Sequence, residues 1–182
     1  ARQPKENYFK MIDKANVPPH DELLENALLA GVITYPEEFS KIEAYLSNGH
    51  TLYQFRAKAL WRLIRRMRRD GEEVSLPTIC ASISASDEKE GLNKYYVIDI
   101  TSDAPTSMSL EPYARKVYEQ HLLREIINST HTIQQSAYDN KVSAYEEIVS
   151  AHTHLGELIS FKPSQGFDIE NEMSDTIDSI QD

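Results

Sequence analysis

The chain has a single cysteine, Cys80, among its 182 residues. One thiol closes no internal disulfide, so stability must come from packing, and the count fits a reducing, cytoplasmic setting. Cys80 itself reads as a small half-buried side chain in a helical segment, Leu76 to Ser84. Glycine is scarce too, at positions 31, 49, 71, 91, 156 and 166, and none of these is followed by lysine. That excludes the Gly-Lys-Ser/Thr turn that cradles nucleotide phosphates, and the same spacing excludes a G-x-G-x-x-G dinucleotide turn. No apolar run approaches the ~20 residues that span a bilayer, and the polar stretch Ala1 to Asn16 is no secretory signal. Positive charge is short as well. The 19 Lys and Arg face 29 Asp and Glu, a net charge of -10, which argues against free-standing, non-specific binding to nucleic acid.

What is present is helical periodicity, and it predicts an all-α fold. Residues 1–17 are mixed and polar, and read as a flexible arm on a chain without an initiator methionine, as if processed or excised. Order is expected from Pro18-Pro19-His20, with Asp21 opening a helix whose Leu23, Leu24, Ala27, Leu28, Gly31 and Val32 fall at helical spacing. Tyr35-Pro36 ends it. Pro36 then opens a second helix through Phe39, Ile42 and Leu46, which stops at Asn48-Gly49. A long helix follows over Leu52 to Asp70, apolar along Leu60, Ile64 and Met67 and closed by Gly71. Leu76-Pro77-Thr78 opens a short helix, and Ser84 to Gly91 reads as a charged connection. Leu92 to Ile100 has strand-like composition, but with no second strand to pair with it is expected to be helical.

The strongest local signal is a helical hairpin. Leu110 to Tyr138 and Val142 to Phe161 are two helices joined by a turn at Asp139-Asn140, which must make them antiparallel. The second shows Tyr145, Ile148, Val149, His152, Leu155 and Ile159 on one face. Beyond the Lys162-to-Gly166 linker, residues 167–182 hold six acidic and no basic residues. Their stripe of Phe167, Ile169, Met173, Ile177 and Ile180 makes a lone amphipathic helix of marginal stability that wants a partner. The organisation is therefore an arm (1–17), a compact helical head (18–109), an antiparallel hairpin (110–161) and a linker helix (162–182).

No constellation for chemistry stands out. His152-x-His154 lies in a helix, where positions two apart diverge, so it is no metal pair, and the carboxylates sit in solvated runs. The basic cluster is more informative. Lys58, Arg62, Arg65, Arg66 and Arg69 recur at spacings of three and four opposite the apolar face of the long helix. They read either as a solvated face paired with carboxylates or as a contact for DNA or an acidic partner surface.

Laid in order, several short matches make the chain resemble the N-terminal domain of DnaB-type replicative DNA helicases. They are Pro18-Pro19-His20, Glu25, Leu28-Leu29-Ala30-Gly31, Leu52-Tyr53, Gly71 to Thr78, Tyr96-Val97, Pro105-Thr106, Tyr113-Ala114-Arg115-Lys116-Val117 and Leu122-Leu123-Arg124. The match runs over roughly residues 17–161. It departs from the family pattern where Ala57 replaces a histidine and where Gly31 falls one place late. The resemblance implies the collar of a hexameric ring, in which hairpins of neighbouring subunits pair; by their apolar character Tyr113, Val117, Leu122, Ile126, Tyr145 and Leu158 are the hairpin residues expected at that interface. It implies docking of primase and, in some systems, of a helicase loader, and contact with DNA through the full ring. ATP and magnesium would belong to a motor domain absent from these residues, so no catalytic, cofactor or metal residue is assigned here. The linker helix would pack on a neighbour's motor domain. Two competing readings are the helicase-binding C-terminal domain of a primase and a small DNA-binding or loader-like protein using the arginine helix.

Overall fold

A computed structural model describes residues 17–46, 49–104, 109–139 and 143–160. Among them are eight α-helices and one 3-10 turn, and no strand. The helices are α1 (Glu22–Thr34), α2 (Phe39–Ile42), α3 (Phe55–Arg69), α4 (Leu76–Ser82), α5 (Ala85–Lys89), α6 (Lys94–Ser102), α7 (Glu111–Asp139) and α8 (Ala144–Ser160), with the 3-10 turn at Pro36–Glu38. No described helix is long and apolar enough to cross a membrane.

Each boundary has a local cause. The Asp21 side chain accepts the Leu24 N–H at 3.0 Å and caps α1. Asn93 does the same for α6 through the Tyr96 N–H at 2.9 Å. The α6 segment is helical as expected, and its Tyr96, Val97 and Ile100 are buried at spacings of one and three while Tyr95 points out. Gly71, at φ +74°, ends α3; its N–H and that of Glu72 return to the Arg68 and Met67 carbonyls, a closure that favours glycine. The segment from Ser84 to Gly91, expected to be a connection, contains α5. Ser84 and Asp87 exchange side-chain and backbone hydrogen bonds at 2.9 and 3.3 Å, so a capping box nucleates that turn.

The core lies in the head. Leu28, Leu29 and Val32 of α1, Ile42 after the 3-10 turn, and Leu60, Trp61, Leu63 and Ile64 of α3 are all fully buried. Leu92, Val97 and Ile79 close it from the α4–α6 side. The Trp61 indole N–H donates to the Leu46 carbonyl at 2.8 Å, so its one polar atom is satisfied. Gly31 sits where α1 crosses the start of α7: a Cβ there would come within 2.3 Å of the Leu110 side chain. The long helix begins at Phe55, three residues later than expected, because the Tyr53 and Gln54 N–H groups are taken by a carboxylate from α1.

Candidate functional site

Two surfaces stand out, the hairpin and the back of α3, and a buried polar joint connects the hairpin to the head. The α7 and α8 helices pack on each other, and the Ser136 hydroxyl donates to Glu147 at 2.6 Å between them. The pairing leaves much apolar surface outside. Leu123 and Ile127 are 50% exposed, Ile126 45%, Ile148 67% and Tyr145 77%. A groove of about 310 Å³ between the helices is lined by small side chains, Ala137, Ala144, Ala151 and Ser136, with Ile133, Glu147 and Ile148.

The residues expected at a subunit interface divide between two environments. Ile126 and Tyr145 are exposed, and Leu158 is half-buried. Val117 is not available to a neighbour. It is 1% exposed inside the head's own core beside Ala114 and Tyr118, because α1 and α2 cover the first turns of α7. Tyr113 and Leu122 lean on that same core. The apolar residues free to meet a partner lie further along, at Leu123, Ile126 and Ile127, a set whose i,i+4 pair Leu123–Ile127 was already present in the sequence. The linker residues Phe167, Ile169, Met173, Ile177 and Ile180 fall outside the described residues.

The basic stripe on α3 is held by carboxylates along most of its length. Arg62 pairs with Glu90, Arg66 with Asp87 at 3.4 Å, Arg65 with Glu43 at 3.8 Å and Arg69 with its neighbour Asp70 at 3.0 Å. Arg68 lies over the Phe39 ring at 4.8 Å. Together Arg62, Arg65, Arg66, Arg68 and Arg69 line a groove of about 650 Å³ with Phe39, Ser40 and Glu43. Lys58 is turned away from this groove and half-buried near Arg124 and Glu25, and burial lowers its ammonium below the ordinary lysine value. The arrangement matches the paired, solvated face better than a row of unpaired cations waiting for phosphate. Arg62 and Arg66 also tie α5 to α3.

Glu25 and Arg124 carry charges that nothing in the sequence marks as buried, and both lie inside the fold. Glu25 is 1% exposed. Its two oxygens accept the Tyr53 N–H at 2.6 Å and the Gln54 N–H at 3.2 Å, just ahead of α3. Burial raises its carboxyl above the ordinary 4.5, against the pull of those N–H groups and of Arg124. Arg124, 9% exposed, donates to the Pro19 carbonyl at 2.7 Å and to the Thr51 carbonyl. Its guanidinium lies 5.6 Å from the Tyr53 ring, on which His20 stacks at 4.1 Å. A second buried glutamate works alike. Glu38 accepts the Leu110 N–H at 3.3 Å ahead of α7 and pairs with Lys41. These are buried charges whose bonds are spent inside the fold. Among the described residues no three His, Cys, Asp or Glu side chains gather as a metal site.

Comparison with known proteins agrees with this architecture. The replicative DNA helicase DnaC of Bacillus subtilis is 24% identical over 167 residues, 91% of this chain and 37% of the relative. The replicative DNA helicase DnaB of Geobacillus stearothermophilus is 26% identical over the same shares. The chain thus spans little more than a third of the length of these relatives. The crystal structure of the N-terminal domain of DnaB helicase from Mycobacterium tuberculosis superposes with a TM-score of 0.66 at 21% identity, covering 76% of this chain and 99% of that one. Residues 17–119, more than half of the chain, match the model of the DnaB-like helicase N-terminal domain, and the chain belongs to that family.

Proposed function

We propose that this chain is the collar piece of a ring-shaped replicative helicase, in which hairpins of two copies pair and the assembled collar docks primase or a helicase loader during DNA replication. The observation that carries the reading is the apolar flank of the hairpin. Leu123, Ile126 and Ile127 on α7, and Ile148 and Val149 on α8, are each 45% exposed or more, and apolar surface of this kind on a folded helix pair marks an interface. A second copy supplies the same surface, so the pairing is self-complementary. ATP and magnesium would be handled by a motor domain beyond these residues, and the acidic segment 167–182 would pack on a neighbour's motor domain. DNA is met through the full ring, in the cytoplasm. The ion pairs along α3 leave the arginine helix a poor DNA contact on its own.

Light scattering across a range of concentrations tests this. The expected mass grows from one chain towards two or more. The Ile126→Glu/Ile148→Glu variant should stay a monomer while Trp61, the single tryptophan and a fully buried one, keeps its native emission. A wild-type chain that stays monomeric at the highest concentration overturns the pairing.

A further inference from the structure

We propose that Arg124 is a latch that fixes the angle between hairpin and head. Within α7 the buried residues are Ala114, Val117, Tyr118 and Arg124. Arg124 is the last of them. No described residue after it in α7 is buried, so the remaining 139 − 124 = 15 residues project as a lever of about 22 Å at ~1.5 Å per residue.

The outermost anchor of that lever is a guanidinium rather than an apolar side chain. It donates to the Pro19 carbonyl, ahead of α1, and to the Thr51 carbonyl, ahead of α3. The hairpin is thereby bonded to two loops of the head at one point. A planar fork bonding carbonyls is directional: it is seated in one geometry or it is out. A leucine at the same place would let the helix slide over its contacts. The surroundings are suited to change. One turn back, the Oε1 atom of Gln120 is buried without a hydrogen-bond partner, and the buried Nδ1 atom of His121 has the Glu125 carboxylate only at 3.7 Å, so the seated joint leaves a polar group that another angle can satisfy. The latch itself does not depend on the collar reading; its consequence does, because in a ring of paired hairpins this angle sets how far apart the heads stand.

Spin-label distances within the full chain test the latch. The labels go on Glu72→Cys in the head and Gln135→Cys in the hairpin, both exposed, in a Cys80→Ser background. The labelled chain is diluted into excess unlabelled protein, so that self-association does not contribute. Each 10° of swing at Arg124 moves the hairpin label by about 3 Å over the intervening turns. With Arg124 intact one narrow distance is expected. Arg124→Met should shift or broaden it by at least that much while Trp61 emission stays native, and Arg124→Lys, which keeps the charge but not the fork, should fall between. An unchanged distribution in a folded Arg124→Met chain overturns the latch, whatever happens to its stability. If Arg124→Met loses native Trp61 emission, Arg124→Lys decides: an unchanged distance there overturns the proposal and a shifted one supports it.

Discussion

The α3 helix of the head and the α8 helix of the hairpin carry large apolar residues at the same helical spacing and dispose of them oppositely. On α3, Leu60, Trp61, Leu63, Ile64 and Met67 are no more than 1% exposed. On α8, Tyr145, Ile148, Val149 and Leu155 stand 39% to 77% exposed. An amphipathic pattern therefore states which face of a helix is to be covered and is silent on what covers it. In the head the cover is the same chain, drawn from α1, α2 and α4–α6. For the outer hairpin no described part of this chain provides it, and the collar reading supplies a second copy.

The contrast is broken most severely in the head. Leu60→Ala opens a cavity in a fully buried site and should cost about 3 kcal/mol, in line with buried leucine truncations. Urea unfolding followed by Trp61 fluorescence measures it; a cost near that of a surface substitution would mean the head is not the rigid half. Next comes Gly31→Ala, where a methyl would meet the Leu110 side chain at 2.3 Å. Overpacking of this kind should cost ~1–3 kcal/mol by the same assay, because Leu110 is itself fully buried and has little room to yield.

A smaller effect lies at the seam and depends on pH. Burial lowers the His121 imidazole below its ordinary 6.5, with Arg124, His50 and Lys58 pressing the same way and Glu125 opposing. The unfolded chain then binds more protons than the folded one below 6.5, so stability falls as pH drops from 6.5 through the lower folded value. Above 6.5 the contribution is fully present. Glu25 acts in the reverse sense nearer 4.5: its raised folded value lets the native state take up a proton first, which stabilises on further acidification. His121→Gln should flatten the slope below 6.5 in a urea titration at stepped pH, and a slope that persists in this variant would place its origin elsewhere.

Much of this division was legible in the residues, and the rest was hidden for identifiable reasons. The helical class, the α3 apolar face, the Gly71 stop and the hairpin all follow from periodicity and turn chemistry, which are local. The Ser84-to-Asp87 capping box was equally local but was masked by the charge of its neighbours. Glu25 and Arg124 were not legible as buried groups. A carboxylate between Leu24 and Asn26, or an arginine after Leu123, looks like any solvated charge until distant backbone N–H and C=O groups are brought to it. Val117, expected at a subunit interface, is buried in the head. It lies on an apolar face of α7, but the first turns of that helix are covered by the head and only the later turns are open. The basic stripe was visible as a stripe; its pairing with Glu43, Asp87 and Glu90 is a tertiary fact.

The smallest change in stability is expected at Ile148 of α8. Ile148 is 67% exposed, so Ile148→Ser removes little that the single chain has buried. At concentrations where the chain is a monomer its unfolding free energy should change by less than ~0.5 kcal/mol, as for most surface substitutions. At concentrations where the wild type associates, the same substitution should shift the mass distribution towards the monomer, since the side chain is then part of a covered face. A chain that loses stability as a dilute monomer would place Ile148 in an intrachain core. A chain whose association is untouched would put the pairing surface on another side of the hairpin, on the Leu123, Ile126 and Ile127 flank of α7 rather than on α8.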